Sequence, residues 1–77
     1  MTIEQKVIET IAKQLNKSAD EISLEKDIVK DLGADSLDVV EMLMNLEEAY
    51  SVTIPDEEAI KIKTVGDIVK ALDGIVK

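Results

Sequence analysis

Apolar residues in this chain recur with a helical period, and no sustained alternation of the kind a sheet requires is present. Thr2 and Gln5 are spaced as a capping box, and Ile3, Val7, Ile8, Ile11 and Leu15 then form one apolar stripe of a first helix. Residues 16–30 read as a long connection punctuated by Ser18 and Asp20. Ile22, Leu24, Ile28, Val29 and Leu32 are expected to pin this segment to the core, which makes it a packed loop rather than a disordered one. A second helix is predicted over about 36–50. Ile54-Pro55-Asp56 leads into a short helical turn through Ala59 and Ile60. Thr64 caps a last helix whose buried face is Val65, Ile68, Val69, Leu72, Ile75 and Val76. The expected fold is all-α: a four-helix bundle with three longer helices, one short helix and a long first loop, in a single domain over residues 1–77.

On a wheel of about 100° per residue, Val39, Met42, Leu43, Leu46, Ala49 and Tyr50 fall within one arc of the second helix, its expected core face. Leu37, Val40 and Met44 form a second strip roughly 130° away. Asp38, Glu41 and Glu48 border that strip on one side, and Glu47 lies at its other edge. Apolar residues outside the core face and ringed by acids fit a partner contact site. A more deeply buried helix, with the strip packed on the long loop, fits the same pattern.

Composition narrows the chemistry. At 77 residues the chain is near the small end of what folds without disulfides or metal. It has no Cys and no His, so thiolate sites, the commonest general base and a hydrolytic triad are all absent. Seventeen acids against nine bases give a net charge of −8. That charge disfavours nucleic acid and anionic membrane and favours partners with basic docking surfaces. No membrane-spanning apolar run or signal-peptide start is present. The chain reads as soluble and intracellular, with bacterial cytoplasm or an organelle after transit-peptide removal equally compatible; a cytoplasmic monomer is the expectation taken forward.

Residues 31–38, Asp-Leu-Gly-Ala-Asp-Ser-Leu-Asp, hold the one feature with distinct chemical potential. Gly33 frees the backbone to turn, Asp35 is a good N-cap for the second helix, and Asp38 stands at the capping-box position. Ser36 is therefore expected in the first turn, exposed and held at a fixed angle. By residue type alone it is either an ordinary polar first-turn residue or a hydroxyl presented to an outside enzyme.

The stretch DLGADSLD, with Val39-Val40-Glu41-Met42, Leu46-Glu47-Glu48 and the downstream Ile54-Pro55-Asp56-Glu57-Glu58-Ala59, resembles the acyl carrier proteins over nearly the whole chain. The resemblance implies a carrier of growing acyl chains, not an enzyme. It implies that a phosphopantetheinyl transferase, using coenzyme A and Mg²⁺, attaches 4′-phosphopantetheine to Ser36 as a phosphodiester. The attached group brings the thiol that the chain lacks. Asp35, Asp38, Glu41, Glu47, Glu48, Leu37, Val40 and Met44 are implied to dock basic patches of fatty-acid synthesis enzymes and acyltransferases. Leu46, Ala59, Ile62 and Ile68 are implied to line an acyl pocket; an ordinary core without a preformed cavity is the other reading.

The chain departs from the bacterial fatty-acid carriers at Lys30 and Thr53, where acids are frequent, at Ile28 in place of an aromatic, and at Tyr50 in place of Phe. Lys26 adds a second base in the same loop. Asp31, Asp35 and Asp38 are expected to form a solvated acidic face, and no metal site is assigned. GADSLD and IPDEEA lean toward fatty-acid synthesis. A carrier of a specialised polyketide or other acyl pathway, and an unmodified acidic helical adaptor, are the alternatives.

Overall fold

Each long helix starts where a side chain satisfies the free N–H groups of its first turn. In α1 (Ile3–Leu15) Thr2 Oγ1 accepts the Gln5 N–H at 3.1 Å and Gln5 Oε1 accepts the Thr2 N–H at 2.9 Å. The helix stops at Asn16, which takes a left-handed conformation with φ 55°. α2 (Ser36–Tyr50) ends in the same way at Ser51, with φ 54°. α3 (Asp56–Ala59) is a single turn after Pro55, its three acids favourably placed at the positive end of the helix dipole. α4 (Val65–Val76) carries a capping box: Thr64 Oγ1 accepts the Asp67 N–H at 3.2 Å, and Asp67 Oδ2 accepts the Lys63 and Thr64 N–H groups at 2.9 and 3.0 Å. The chain is described here by a computed structural model covering residues 2–76.

The architecture is the expected helical bundle with three long helices and one short one. α1 is the hub, packed against both α2 and α4. Val7 and Ile11 of α1, Met42 and Leu46 of α2, and Val65, Ile68 and Leu72 of α4 are fully buried. Complete burial of such aliphatic side chains stabilises by about 1.5–3 kcal/mol each. With no Phe or Trp in the chain, the core closes on branched aliphatics and Met42.

The long first loop is packed, as its sequence suggests, but it is held largely by its main chain. Ser18 and Glu21 cap a short 3₁₀ turn at Ala19–Glu21, which packs on α1. Asp27 Oδ1 accepts the Val29 and Lys30 N–H groups at 2.9 and 2.8 Å, while Asp31 Oδ2 accepts the Asp27 N–H at 2.8 Å. Three main-chain bonds then join the loop to the entry of α4. Ile28 N–H donates to Lys63 O at 2.9 Å, Val65 N–H to Lys26 O at 3.1 Å, and Gly66 N–H to Leu24 O at 2.8 Å. They surround an isolated antiparallel bridge between Asp27 and Thr64, and no regular strand forms among the described residues. Gly66 suits the close approach, because a Cβ there would lie a tight 3.1 Å from Leu24 O and make that main chain give slightly.

Two of the five expected loop anchors are corrected. Ile22, Ile28 and Leu32 are buried, but Val29 is 53% exposed and Leu24 is also at the surface. Leu24 and Val29 belong to a stretch held by its main chain, so their side chains are released from a packing role. Ala49, placed by the wheel on the core face of α2, is exposed as well.

Candidate functional site

The turn before α2 is fixed from both sides. Leu32 and Ala34 are buried and bracket Gly33, whose φ of +76° is a left-handed value that glycine adopts without strain. Gly33 N–H donates to Val29 O and Ala34 N–H to Ile28 O, each at 3.1 Å. Asp35 then runs extended. Its Oδ1 accepts the Asp38 N–H at 2.9 Å, and Asp38 Oδ2 accepts the Asp35 N–H at 3.2 Å. Ser36 follows directly, exposed in the first turn.

Among the described residues the Ser36 hydroxyl has no protein hydrogen-bond partner, and the Ser36 and Leu37 N–H groups are likewise left to solvent. A group attached at Oγ would project outward without displacing a neighbour. A negatively charged one would lie at the end of α2 where free N–H groups and the helix dipole favour it. The chain has no His to act as a base beside the hydroxyl, and the two flanking carboxylates, Asp35 and Asp38, each accept a main-chain N–H of the capping box.

The second strip of α2 is exposed, with Leu37 at 71%, Val40 at 51% and Met44 at 57%. Ile60, just past α3, adds another exposed apolar side chain that periodicity did not single out. From residue 31 to residue 58 every charged residue is acidic, so the face around Ser36 is strongly negative. The acids are not equivalent. Glu48 is exposed, and Glu41 is exposed while accepting a hydrogen bond from Gln14 Nε2 of α1 at 2.6 Å. Asp38 is half-buried in the capping box. Glu47 is also half-buried, and its Oε2 accepts the Ile54 N–H at 2.6 Å. No three acidic side chains converge as a metal site would require among the described residues, and Asp31, Asp35 and Asp38 each accept from a main-chain N–H.

Of the four residues assigned to an acyl pocket, Leu46 and Ile68 are sealed in the core. Ala59 and Ile62 are half-buried against it. Ile62 also lines a cleft of about 250 Å³ beside α2, walled by Ile28, Val29 and Val39 and bordered by Lys30, Lys63 and Asp27. Sequence periodicity gave no sign of this cleft, because its walls come from the loop, α2 and the segment after α3.

Residues 5–72 match the family model described as a phosphopantetheine attachment site. The acyl carrier protein of Wolinella succinogenes is 51% identical over 73 residues, covering 95% of this chain and 96% of its own length. The acyl carrier protein of Rickettsia massiliae is 53% identical over 68 residues, covering 88% of this chain and 79% of its own. Among solved structures, the acyl carrier protein from Enterococcus faecalis superposes with a TM-score of 0.78 at 36% identity, over 96% of this chain and 98% of that one.

Proposed function

This chain belongs to the phosphopantetheine-attachment family as an acyl carrier protein rather than an enzyme, and from that membership we propose that Ser36 is the attachment residue and that the cargo is the growing acyl chain of fatty-acid synthesis. The observation that carries the assignment of Ser36 is its placement. It is an exposed hydroxyl with no protein partner, fixed by the Gly33 turn and the Asp35–Asp38 capping box at the start of α2. When bound, phosphopantetheine supplies the thiol that holds acyl groups as thioesters, a thiol this Cys-free chain lacks.

In the modification, Ser36 Oγ bonds to the β-phosphorus of coenzyme A, the pyrophosphate P–O bond breaks and adenosine 3′,5′-bisphosphate leaves. The serine proton passes to a base of the transferase. The protein's own part is to hold the oxygen outward and to keep the first-turn N–H groups open beside it.

The same face addresses the partners. Leu37, Val40 and Met44 offer apolar contact, with Asp35, Asp38, Glu41 and Glu48 around them for the basic patches of the transferase, fatty-acid synthesis enzymes and acyltransferases. Such charge complementarity speeds encounter while exposed pairs add little net affinity, which suits a carrier that visits and leaves many enzymes. Among the described residues no helix is long and apolar enough to cross a membrane.

Intact mass after incubation with coenzyme A and a broad-specificity transferase tests the reading. One phosphopantetheinyl group should be gained, and Ser36→Ala should gain none. Modification of the Ser36→Ala variant, or none of the parent chain, would overturn it. The acyl group found on protein taken from cells then separates fatty-acid synthesis from a specialised pathway.

A further inference from the structure

Ile62, implied above to line an acyl pocket, opens onto the cleft beside α2, and we propose that this cleft binds the carboxylate end of a short tethered acyl chain, with Lys30 and Lys63 as its cationic rim. The proposal rests on attachment at Ser36. Val39, in the cleft wall, lies three residues on from Ser36, and side chains at that spacing are neighbours on a helix surface at about 5–6 Å. An arm anchored at Ser36 therefore begins beside the cleft and, being flexible, can fold its acyl end back onto it.

Its walls and rim differ in character. Ile28 is buried, and Val39 and Ile62 are half-buried, giving an apolar lining to a space of about 250 Å³. That is below the usual range for drug-sized ligands and suits a short aliphatic chain. Lys30 and Lys63 are both exposed at its border, and neither forms an ion pair among the described residues, where the ion pairs are those of Glu9 with Lys6 and Lys13. Asp27 also borders the cleft, but its Oδ1 is turned to the Val29 and Lys30 N–H groups. Among the residues bordering the cleft two ammoniums face one committed carboxylate; Asp31 and Asp67, just outside it, each turn an oxygen to main-chain N–H groups, those of Asp27 and of Lys63 and Thr64. The rim stands next to a stretch, residues 31–58, that carries only negative charges.

The rim is also held in place. Ile28 N–H donates to Lys63 O at 2.9 Å, Lys63 N–H to Asp67 Oδ2 at 2.9 Å, and Lys30 N–H to Asp27 Oδ1 at 2.8 Å. Both lysine backbones are thus ordered before any ligand arrives, which lowers the cost of binding. Their methylene stems extend the apolar wall while the ammoniums stay wet. A methyl-ended chain gains only the wall; a carboxylate-ended chain gains the rim as well.

The test loads the full chain at Ser36 from hexanoyl- and adipoyl-coenzyme A, cargoes of equal length that differ in a terminal carboxylate. Intact mass is read first, and failure to load would sink the carrier reading together with this one. With loading confirmed, the adipoyl form should melt about 3 °C above the hexanoyl form at low salt. It should also shift the amide resonances of Ile28, Lys30, Val39 and Lys63 further. High salt and the paired substitution Lys30→Gln with Lys63→Gln should erase the difference, whereas Lys26→Gln with Lys61→Gln should preserve it. Equal melting and equal resonances for the two cargoes, or a difference that survives Lys30→Gln with Lys63→Gln, would overturn the proposal and leave the attachment at Ser36 standing.

Discussion

Glu47 Oε2 accepts the Ile54 N–H at 2.6 Å, tying the last turns of α2 to the segment that leads into α3. On the sequence Glu47 sits at the edge of the presumed docking strip. In the fold it fastens a connection, and Ile54, whose N–H it takes, is itself buried. A carboxylate in this role has two consequences, one for stability and one for partners.

For stability, Glu47→Ala leaves the Ile54 N–H without its charged acceptor. Hydrogen bonds to charged groups contribute more than neutral ones, and for this half-buried pair the expected loss is about 1 kcal/mol. A domain of this size should then melt roughly 4–8 °C lower. Glu47→Gln keeps an acceptor oxygen and should lose less. Thermal unfolding of the two variants checks the order, and equal midpoints for parent and Glu47→Ala would refute it.

For partners, Glu41 and Glu48 should matter more than Glu47, because both are exposed. Binding of a cognate synthase should weaken as salt rises, and Glu41→Lys should weaken it roughly tenfold at low salt, about 1.4 kcal/mol. Titrations across ionic strength report both effects. Salt-independent binding by parent and variant would remove electrostatic steering from the account.

Gly33 should be favoured over other residues for a backbone reason alone. A Cβ at this position meets nothing within 4 Å, so the cost of Gly33→Ala is the left-handed φ of +76° and not a clash. That cost is about 1 kcal/mol. Gly33→Asn should cost less, since Asn tolerates this region. Chemical denaturation should rank the three in the order Gly, Asn, Ala.

Asp67 gives the fold a signed dependence on pH. The Lys63 N–H first, then the Thr64 N–H, hold its carboxyl below the ordinary value of 3.8. The folded form therefore favours the ionised group more than the unfolded chain does. Its contribution is fully present above the unfolded value and is lost as pH falls through that value toward the lower folded one. Asp67→Asn should destabilise at neutral pH and converge on the parent in acid. A gap between the two that stays constant from neutral pH into this acid range would contradict the assignment.

Much of this was legible in the residues. Ser36–Tyr50 runs as the periodicity predicts, and the Thr2–Gln5, Asp35–Asp38 and Thr64 caps form where their spacing places them. Local rules decide such features, because donor and acceptor are three residues apart. Ala49 was misplaced because it lies roughly 80° from Val39 on the wheel, at the margin of the arc, where only the reach of neighbouring helices decides burial. Glu47, roughly 80° from Val39 on the other side, meets Ile54 for a reason no helix period contains: the chain turns back past it after Ser51. Leu24 and Val29 looked like anchors because they are apolar, but main-chain pairing had already fixed that loop.

Because Leu24, Lys26 and Ile28 are joined to Lys63, Val65 and Gly66 through peptide groups, the seam is indifferent to most of the side chains along it. Random mutagenesis should find that the exposed side chains of Leu24 and Lys26 can be exchanged with little cost to folding, while the buried Ile28 and Val65 stay restricted to apolar residues. Position 66 should favour glycine, since any Cβ there makes the main chain at Leu24 give slightly.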